Sequence, residues 1–317
     1  MKMFNKKNLI WIIFTALIFS IIQGLIMGNV IDFYYLTTVY NIGINIILAL
    51  GLNLIIGYSG QFSLGHAGFM AIGAYSAAVT LNYVDGMSGL LLGIFIGIIL
   101  SSLISLVVAV PTLRLRGDYL AIATLGFSEV IRITILNMDI TGGAKGISNI
   151  PKLTTFPLLF FFIVLSIVII VNFARSSHGR ATASVREDEI ASESMGVNTT
   201  KYKTIAFVIG AALASIGGAL YASSFYMINP DTFNFQKSVD ILVIVVFGGM
   251  GSLSGSIIAA IVLGFINTAL QAYTEIRMIL YAATIVAIMV FRPQGLFGNK
   301  EIDITKIFIR KKKKEAN

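Results

Sequence analysis

The chain has 317 residues, 56% of them hydrophobic, and only 12% charged, where ordinary soluble domains carry about 25% charged residues. That composition excludes a soluble enzyme and describes a polytopic membrane protein. Cysteine is absent, which excludes a disulfide framework and a thiolate metal site. The net charge of +8 lies in short loops and termini beside apolar runs, the pattern that sets membrane topology and not one that binds nucleic acid.

The expected fold is all-α, with about ten transmembrane helices, since each crossing of a hydrocarbon core needs roughly 20 apolar residues. After the basic start MKMFNKKN, the run Leu9 to Gly28 is too long for the apolar part of a signal peptide and has no small-residue cleavage site after it, so it reads as a retained first span. From Phe33 to Val84 there is no Asp, Glu, Lys or Arg, and two spans fit, Tyr40 to Ile56 and Phe62 to Tyr83. Met87 to Val110 is a fourth span, closed by Pro111 with Arg114 and Arg116. Tyr119 to Leu136 is a fifth, in which Glu129 and Arg132 are spaced to pair on one helical face, easing their placement near the bilayer edge. Asn137 to Thr155 reads as an outer loop, Phe156 to Ala174 as a sixth span and Thr204 to Ile228 as a seventh. A short polar loop, Asn229 to Asp240, then leads to a short eighth and a full ninth span within Ile241 to Thr274, and Met278 to Phe291 is a tenth. Residues 1–298 thus form one membrane domain and 299–317 a basic tail suited to anionic lipid.

Basic residues cluster in the N-terminus, at Arg114 and Arg116, in the polar excursion 175–203 and beyond Arg292. Their bias places both termini and the excursion on the cytoplasmic side. The excursion is the longest polar stretch between the first span and the tail. Ser184 with Glu187 three residues on has the capping-box pattern, Asp188 and Glu189 add negative charge to the first turn, and Gly196 suits a left-handed stop, which together predict one helix of about eleven residues. Two readings stand for it: a helix lying on its own bundle, or a charged docking helix offering Arg186, Glu187, Asp188 and Glu193 to a soluble partner.

Two glycine-rich interruptions carry the remaining signal, Gly57 to Phe69 and Phe247 to Gly255. Gly65-x-x-Gly68 and Gly73-x-x-x-Ala77 fit helix-packing faces. The alternative is a pair of discontinuous helices, whose freed backbone is tolerated where it is buried in protein or lines a cavity. In that reading Gln61, Ser63 and His66, with Gly65, Gly68, Gly249 and Ser252 around the breaks, border a solute path. No His, Asp and Glu cluster falls at metal spacing, nothing resembles a nucleophile with its base, and Gly142-Gly143-Ala144-Lys145-Gly146 lacks the phosphate-loop pattern, so no catalytic, metal or nucleotide site is expected.

Several segments in order resemble one family. They are Gly57 to Phe69 (GYSGQFSLGHAGF), Arg114 to Leu125 (RLRGDYLAIATL), Thr141-Gly142-Gly143, Gly179-Arg180-Ala181, Arg186 to Ala191 (REDEIA), Met195-Gly196 and Arg292 to Gly298 (RPQGLFG). Together they are similar to the LivM permeases of branched-chain amino-acid ABC importers, over about Asn41 to Gly298. The resemblance implies a bacterial inner-membrane permease paired with a LivH-like second permease and driven by two cytoplasmic ATPase subunits. Those subunits bind the ATP and Mg, and this chain carries no cofactor. A binding protein outside the membrane delivers Leu, Ile or Val. It also implies that the segment from Arg186 to Gly196 contacts the ATPase, with Ser192 and Ser194 where that loop usually has alanine. Related permeases serve urea and short amides, and an ion-coupled secondary amino-acid transporter is the alternative from another class.

Overall fold

The computed structural model describes residues 6–28, 32–112, 115 and 117–270, with the single positions 279, 283, 286 and 298. Apart from those single positions, the expected tenth span lies outside the described residues, as do Arg114, Arg116, the Arg292 to Phe297 motif and the tail 299–317. Within residues 6–270 the described elements include these α-helices in order: α1 (Lys6–Met27), α2 (Phe33–Asn53), α3 (His66–Leu81), α4 (Gly86–Thr112), α5 (Asp118–Asn137), α6 (Phe156–Arg175), α7 (Ser177–Glu187), α8 (Glu189–Ser194), α9 (Thr199–Phe225), α10 (Phe235–Gly248) and α11 (Leu253–Ala269). Among the described residues there is no strand, only an isolated antiparallel bridge between Ile147 and Ile228.

Among the described residues, five helical stretches are long and apolar enough to cross a bilayer: Phe33–Tyr58, Gly86–Thr112, Asp118–Asn137, Phe156–Arg175 and Thr199–Phe225. They divide by burial. In the first and last, 78% and 72% of the apolar window is buried within the protein, against 33%, 28% and 28% in α4, α5 and α6. Helices α2 and α9 therefore form the centre, and α4 to α6 turn apolar side chains such as Phe95, Val107, Ile122 and Phe161 outward, as helices facing lipid do.

Small residues bring the central helices together. A Cβ on Gly73 of α3 would lie 1.9 Å from the Ser215 carbonyl oxygen of α9, and one on Gly218 would lie 1.9 Å from the Met70 oxygen. One on Gly93 of α4 would stand 2.6 Å from the Ala77 Cα. Gly73-x-x-x-Ala77 is thus a packing face on two sides, where contact area and not a hydrophobic drive holds helices in lipid. The Glu129–Arg132 pair forms at 2.8 Å, and Arg132 also reaches Asp231 at 3.2 Å.

Three expectations are corrected. The excursion 175–203 holds two helices, not one starting at Ser184. Ser176 caps α7 by accepting from the Gly179 N–H at 3.1 Å, and Asp188 caps α8 by accepting from the Ala191 N–H at 3.0 Å. Ser184 sits inside α7 and donates to the Ala181 oxygen. The extended backbone of Asp188 (φ −154°, ψ 109°) ends one helix and begins the next. A carboxylate facing the positive end of α8 is the stronger cap. Gly196, at φ +82°, stands just past α8. The loop Asn229 to Asp240 is also shorter than expected: a 3-10 turn, Pro230–Phe233, gives way to α10, capped by Asn234. Lys237, expected in an outer loop, consequently lies in the first turn of α10. Finally, α2 begins at Phe33, seven residues before the expected Tyr40.

Candidate functional site

Helix α2 does not end cleanly. Its last residues run into a π-helical turn, Leu54–Tyr58, and then leave helical geometry from Ser59 to Gly65 before α3 starts at His66. Single π turns are uncommon and recur at functional positions. Gly60 takes φ +70°, open to glycine without strain. Side chains from other helices satisfy backbone donors of this non-helical stretch and the first turn of α3. The Leu64 N–H donates to Thr124 Oγ1 at 3.1 Å and the Ala67 N–H to Ser238 Oγ at 3.0 Å. Buried irregular backbone in a membrane requires such partners.

The second break separates α10 from α11. Gly249 (φ +107°) and Gly251 (φ +96°) turn the chain, and Ser252 caps α11 by accepting from the Gly255 N–H at 3.1 Å. The two breaks touch. Asn53, fully buried at the end of α2, donates through Nδ2 to the Ser252 oxygen and to Ser256 Oγ, both at 2.9 Å. Its Oδ1 accepts from the Gly251 N–H at 2.7 Å. A Cβ on Gly57 would fall 2.1 Å from that Oδ1 and 2.3 Å from the Gly251 nitrogen. Only glycine lets the π turn approach the second break this closely.

The polar excursion docks on the first break. Arg186 of α7 donates from a guanidinium nitrogen to the Gly57 oxygen, and its aliphatic stem covers Gly60. Gln61 Nε2 donates to the Lys203 oxygen in α9 at 3.0 Å and also to Ser59 Oγ. Lys203 Nζ in turn pairs with Glu189 of α8 at 2.7 Å. A continuous run of contacts therefore leads from α8 through α7 and the start of α9 to the first break, and through Asn53 to the second.

The residues expected beside a solute path are all buried: Gln61 and Ser63 are 2% exposed, His66 1% and Ser252 0%, with Gly65, Gly68 and Gly249 likewise inside. Ser252 meets Asn53, and Gln61 meets Lys203. Gly65 and Gly68 pack on α5, where added Cβ atoms would be 2.7 Å from the Thr124 oxygen and 2.9 Å from the Ser128 Cα. The His66 ring lies against Gly51 of α2. Of the residues expected to dock a partner, Arg186 points inward to Gly57, whereas Glu187, Asp188, Glu193 and Gly196 are exposed. Asn53 and Lys203 were missed, and Glu189 was read only as a first-turn charge, without its pairing to Lys203. Asn53 sits in an apolar run and finds its partners about two hundred residues away, a link that no local pattern carries.

A family model described as "Branched-chain amino acid transport system / permease component" matches residues 34–289. The high-affinity branched-chain amino acid transport system permease protein LivM of Salmonella typhimurium is 39% identical over 267 residues, covering 72% of this chain and 61% of that protein. LivM of Escherichia coli is 38% identical over 310 residues, covering 86% of this chain and 71% of that protein. LivH of Escherichia coli, the permease protein of the same name otherwise, is 29% identical over 148 residues, or 46% of this chain and 47% of LivH. No solved structure matches the chain. Since the matched span runs from the first turn of α2 past the end of α11 and takes in both breaks, the chain belongs to the branched-chain amino acid transport system permease family and stands with its LivM members.

Proposed function

We propose that this chain is the permease subunit of an ABC importer that carries leucine, isoleucine and valine across a bacterial inner membrane, driven by ATP hydrolysis in other subunits. The printed roles of its LivM and LivH relatives support the solute class and a second, LivH-like permease as partner. Two cytoplasmic ATPase subunits, which bind the ATP and Mg, and an extracytoplasmic binding protein complete the assembly in this reading. The membrane domain spans residues 1–298 with ten crossings, both termini inside, and the tail 299–317 lies on anionic lipid.

One observation carries the mechanism: the helix pair α7–α8 touches the first break through Arg186, and the first break touches the second through Asn53. Helix α8 presents Glu193 beside Ile190 and Met195, which are 67% and 84% exposed. Exposed apolar side chains rimmed by charge mark a protein contact. In the cycle, closure of the ATPases shifts α8. The Arg186 guanidinium moves with α7 and takes the Gly57 carbonyl along, and Asn53 passes the displacement to Gly251 and Ser252. Both broken helices then change together, as two-state helix shifts require, while this chain itself performs no chemistry.

The test replaces Arg186 with Ala in the assembled importer reconstituted in liposomes. Partner association and ATP hydrolysis persist, and leucine uptake falls at least tenfold. Full uptake with Arg186 absent would sink the coupling role. Glu193→Lys gives the complementary defect, loss of ATPase binding with the permease still in the membrane.

A further inference from the structure

The three helices that meet at Asn53 separate at their other ends. Asn45 lies eight residues before Asn53 on α2, about 12 Å of helical rise. Lys237 opens α10, and Asn267 and Thr268 stand in the last turn of α11. Between them is a cleft of about 360 Å³, within the range of roughly 300–1,000 Å³ typical of small-molecule sites. Its polar wall is made by Thr37, Thr38, Asn41, Asn45, Lys237 and Asn267, and Phe33 and Ile42 supply apolar surface.

The chemistry of this wall is specific. Among the described residues of the lining, hydroxyls and amides surround one ammonium and none is a carboxylate. Lys237 Nζ donates to Asn45 Oδ1 at 3.2 Å, which occupies one of the three donors that an ammonium has. The amide oxygen fixes the direction of the side chain. Asp240, one turn further along α10, attracts the Lys237 ammonium through its charge, and it is not among the described residues of the lining. An ionisable side chain held among transmembrane helices and facing a cavity marks a solute pathway.

We propose that this cleft binds the amino acid in transit, with Lys237 as the counter-charge of its α-carboxylate, the amides of Asn41 and Asn267 around its polar end, and Phe33 and Ile42 against its aliphatic side chain. The assignment rests on the transport reading and sharpens it, because urea and short amides carry no carboxylate and gain nothing from Lys237. The cleft and the coupled breaks occupy opposite ends of α2, α10 and α11, so a shift at Asn53 reaches the cleft along rigid helices.

Uptake and thiol labelling test it separately. In the reconstituted importer, Lys237→Met lowers L-leucine uptake at least tenfold with ATPase association intact, and Lys237→Arg keeps it within about threefold of the parent. If the Met variant fails to assemble, Lys237→Gln, which keeps a donor and drops the charge, decides the same point. The chain has no cysteine, so Asn267→Cys places its single thiol in the cleft. An anionic methanethiosulfonate then labels faster than a cationic one, Lys237→Met erases that preference, and L-leucine slows labelling while leucinamide does not. Parental leucine uptake without a positive charge at 237, or a labelling preference that ignores Lys237, overturns the carboxylate site and leaves the importer reading standing. An assembled parent that moves no leucine overturns the importer reading, and this assignment of the solute with it.

Discussion

The two ends of the α2, α10 and α11 group are built on opposite terms. At the Asn53 end, backbone meets backbone: there is no room for a Cβ on Gly57, and each polar atom of the Asn53 amide is engaged. At the Lys237 end the same helices diverge around a polar cleft, and a cation is held by an amide oxygen and attracted by Asp240. A close-packed polar contact has few alternative arrangements and transmits displacement, since packed interfaces switch between discrete states and do not deform smoothly. An open polar cleft stabilises little by itself and leaves its groups available to a ligand. In the proposed importer, function divides along that line, with transmission at the tight end and recognition at the loose one.

The largest effect is expected where the fit is closest. Gly57→Ala places a methyl 2.1 Å from Asn53 Oδ1 and 2.3 Å from the Gly251 nitrogen, and costs about 3 kcal/mol or abolishes folding, as overpacking against backbone does. The readout is the temperature at which the detergent-solubilised chain loses its monodisperse size-exclusion peak. Asn53→Leu comes next. It removes three hydrogen bonds, each worth about 0.6 to 1.7 kcal/mol between membrane helices, for a loss of roughly 2 kcal/mol. Because both changes strike one contact, the double variant loses less than the two single losses combined. Strict additivity in that cycle would show that the two breaks do not share a contact.

Much of this was legible in the sequence, and the remainder was hidden for definable reasons. Apolar runs bounded by Pro, Gly and charge located α3 to α6 and α9 to within a few residues, because span length is set by the thickness of the bilayer. Glycine density located both breaks. The Gly57 contact was out of reach, since it depends on which distant segment arrives opposite, and Gly251 is separated from it by most of the chain. The loop helices were misplaced because Ser184 and Asp188 both satisfy the local capping rules. Position in the fold decides between them: α7 is already propagating from Ser176 when the chain reaches Ser184. Lys237 was assigned to a loop because charge beside Pro230 marks a loop in most chains. Here Asn234 caps a helix at that point and draws the lysine between helices.

A smaller effect separates the two ends directly. Lys237→Met is expected to lower stability by less than about 1 kcal/mol, since the desolvation relieved by removing a partly buried cation offsets most of the attraction to Asp240 that is lost with it. Stability and uptake thus part company at the loose end and fall together at Gly57. If Lys237→Met melts the chain as severely as Asn53→Leu, the cleft is a structural joint and the distinction between the ends fails.

The smallest expected effect is at the rim, and it sharpens what the tight end transmits. Glu189 and Lys203 pair at 2.7 Å with side chains 31% and 13% exposed. Their attraction is partly screened and worth about 0.5 kcal/mol, less as salt is raised. Glu189→Gln should therefore leave the melting temperature almost unchanged. Lys203 nevertheless holds a second contact that does not depend on its charge, the hydrogen bond from Gln61 Nε2 to its carbonyl oxygen. If α8 acts on the first break only through Arg186, Glu189→Gln leaves uptake at the parental level, and Gln61→Leu does too. If the start of α9 is a parallel route, Gln61→Leu lowers uptake several-fold and Glu189→Gln lowers it modestly, with the Glu189 defect appearing in the parent as salt rises. Uptake measured across a salt series for the parent and both variants distinguishes a single link from two, because only the ion pair weakens with ionic strength.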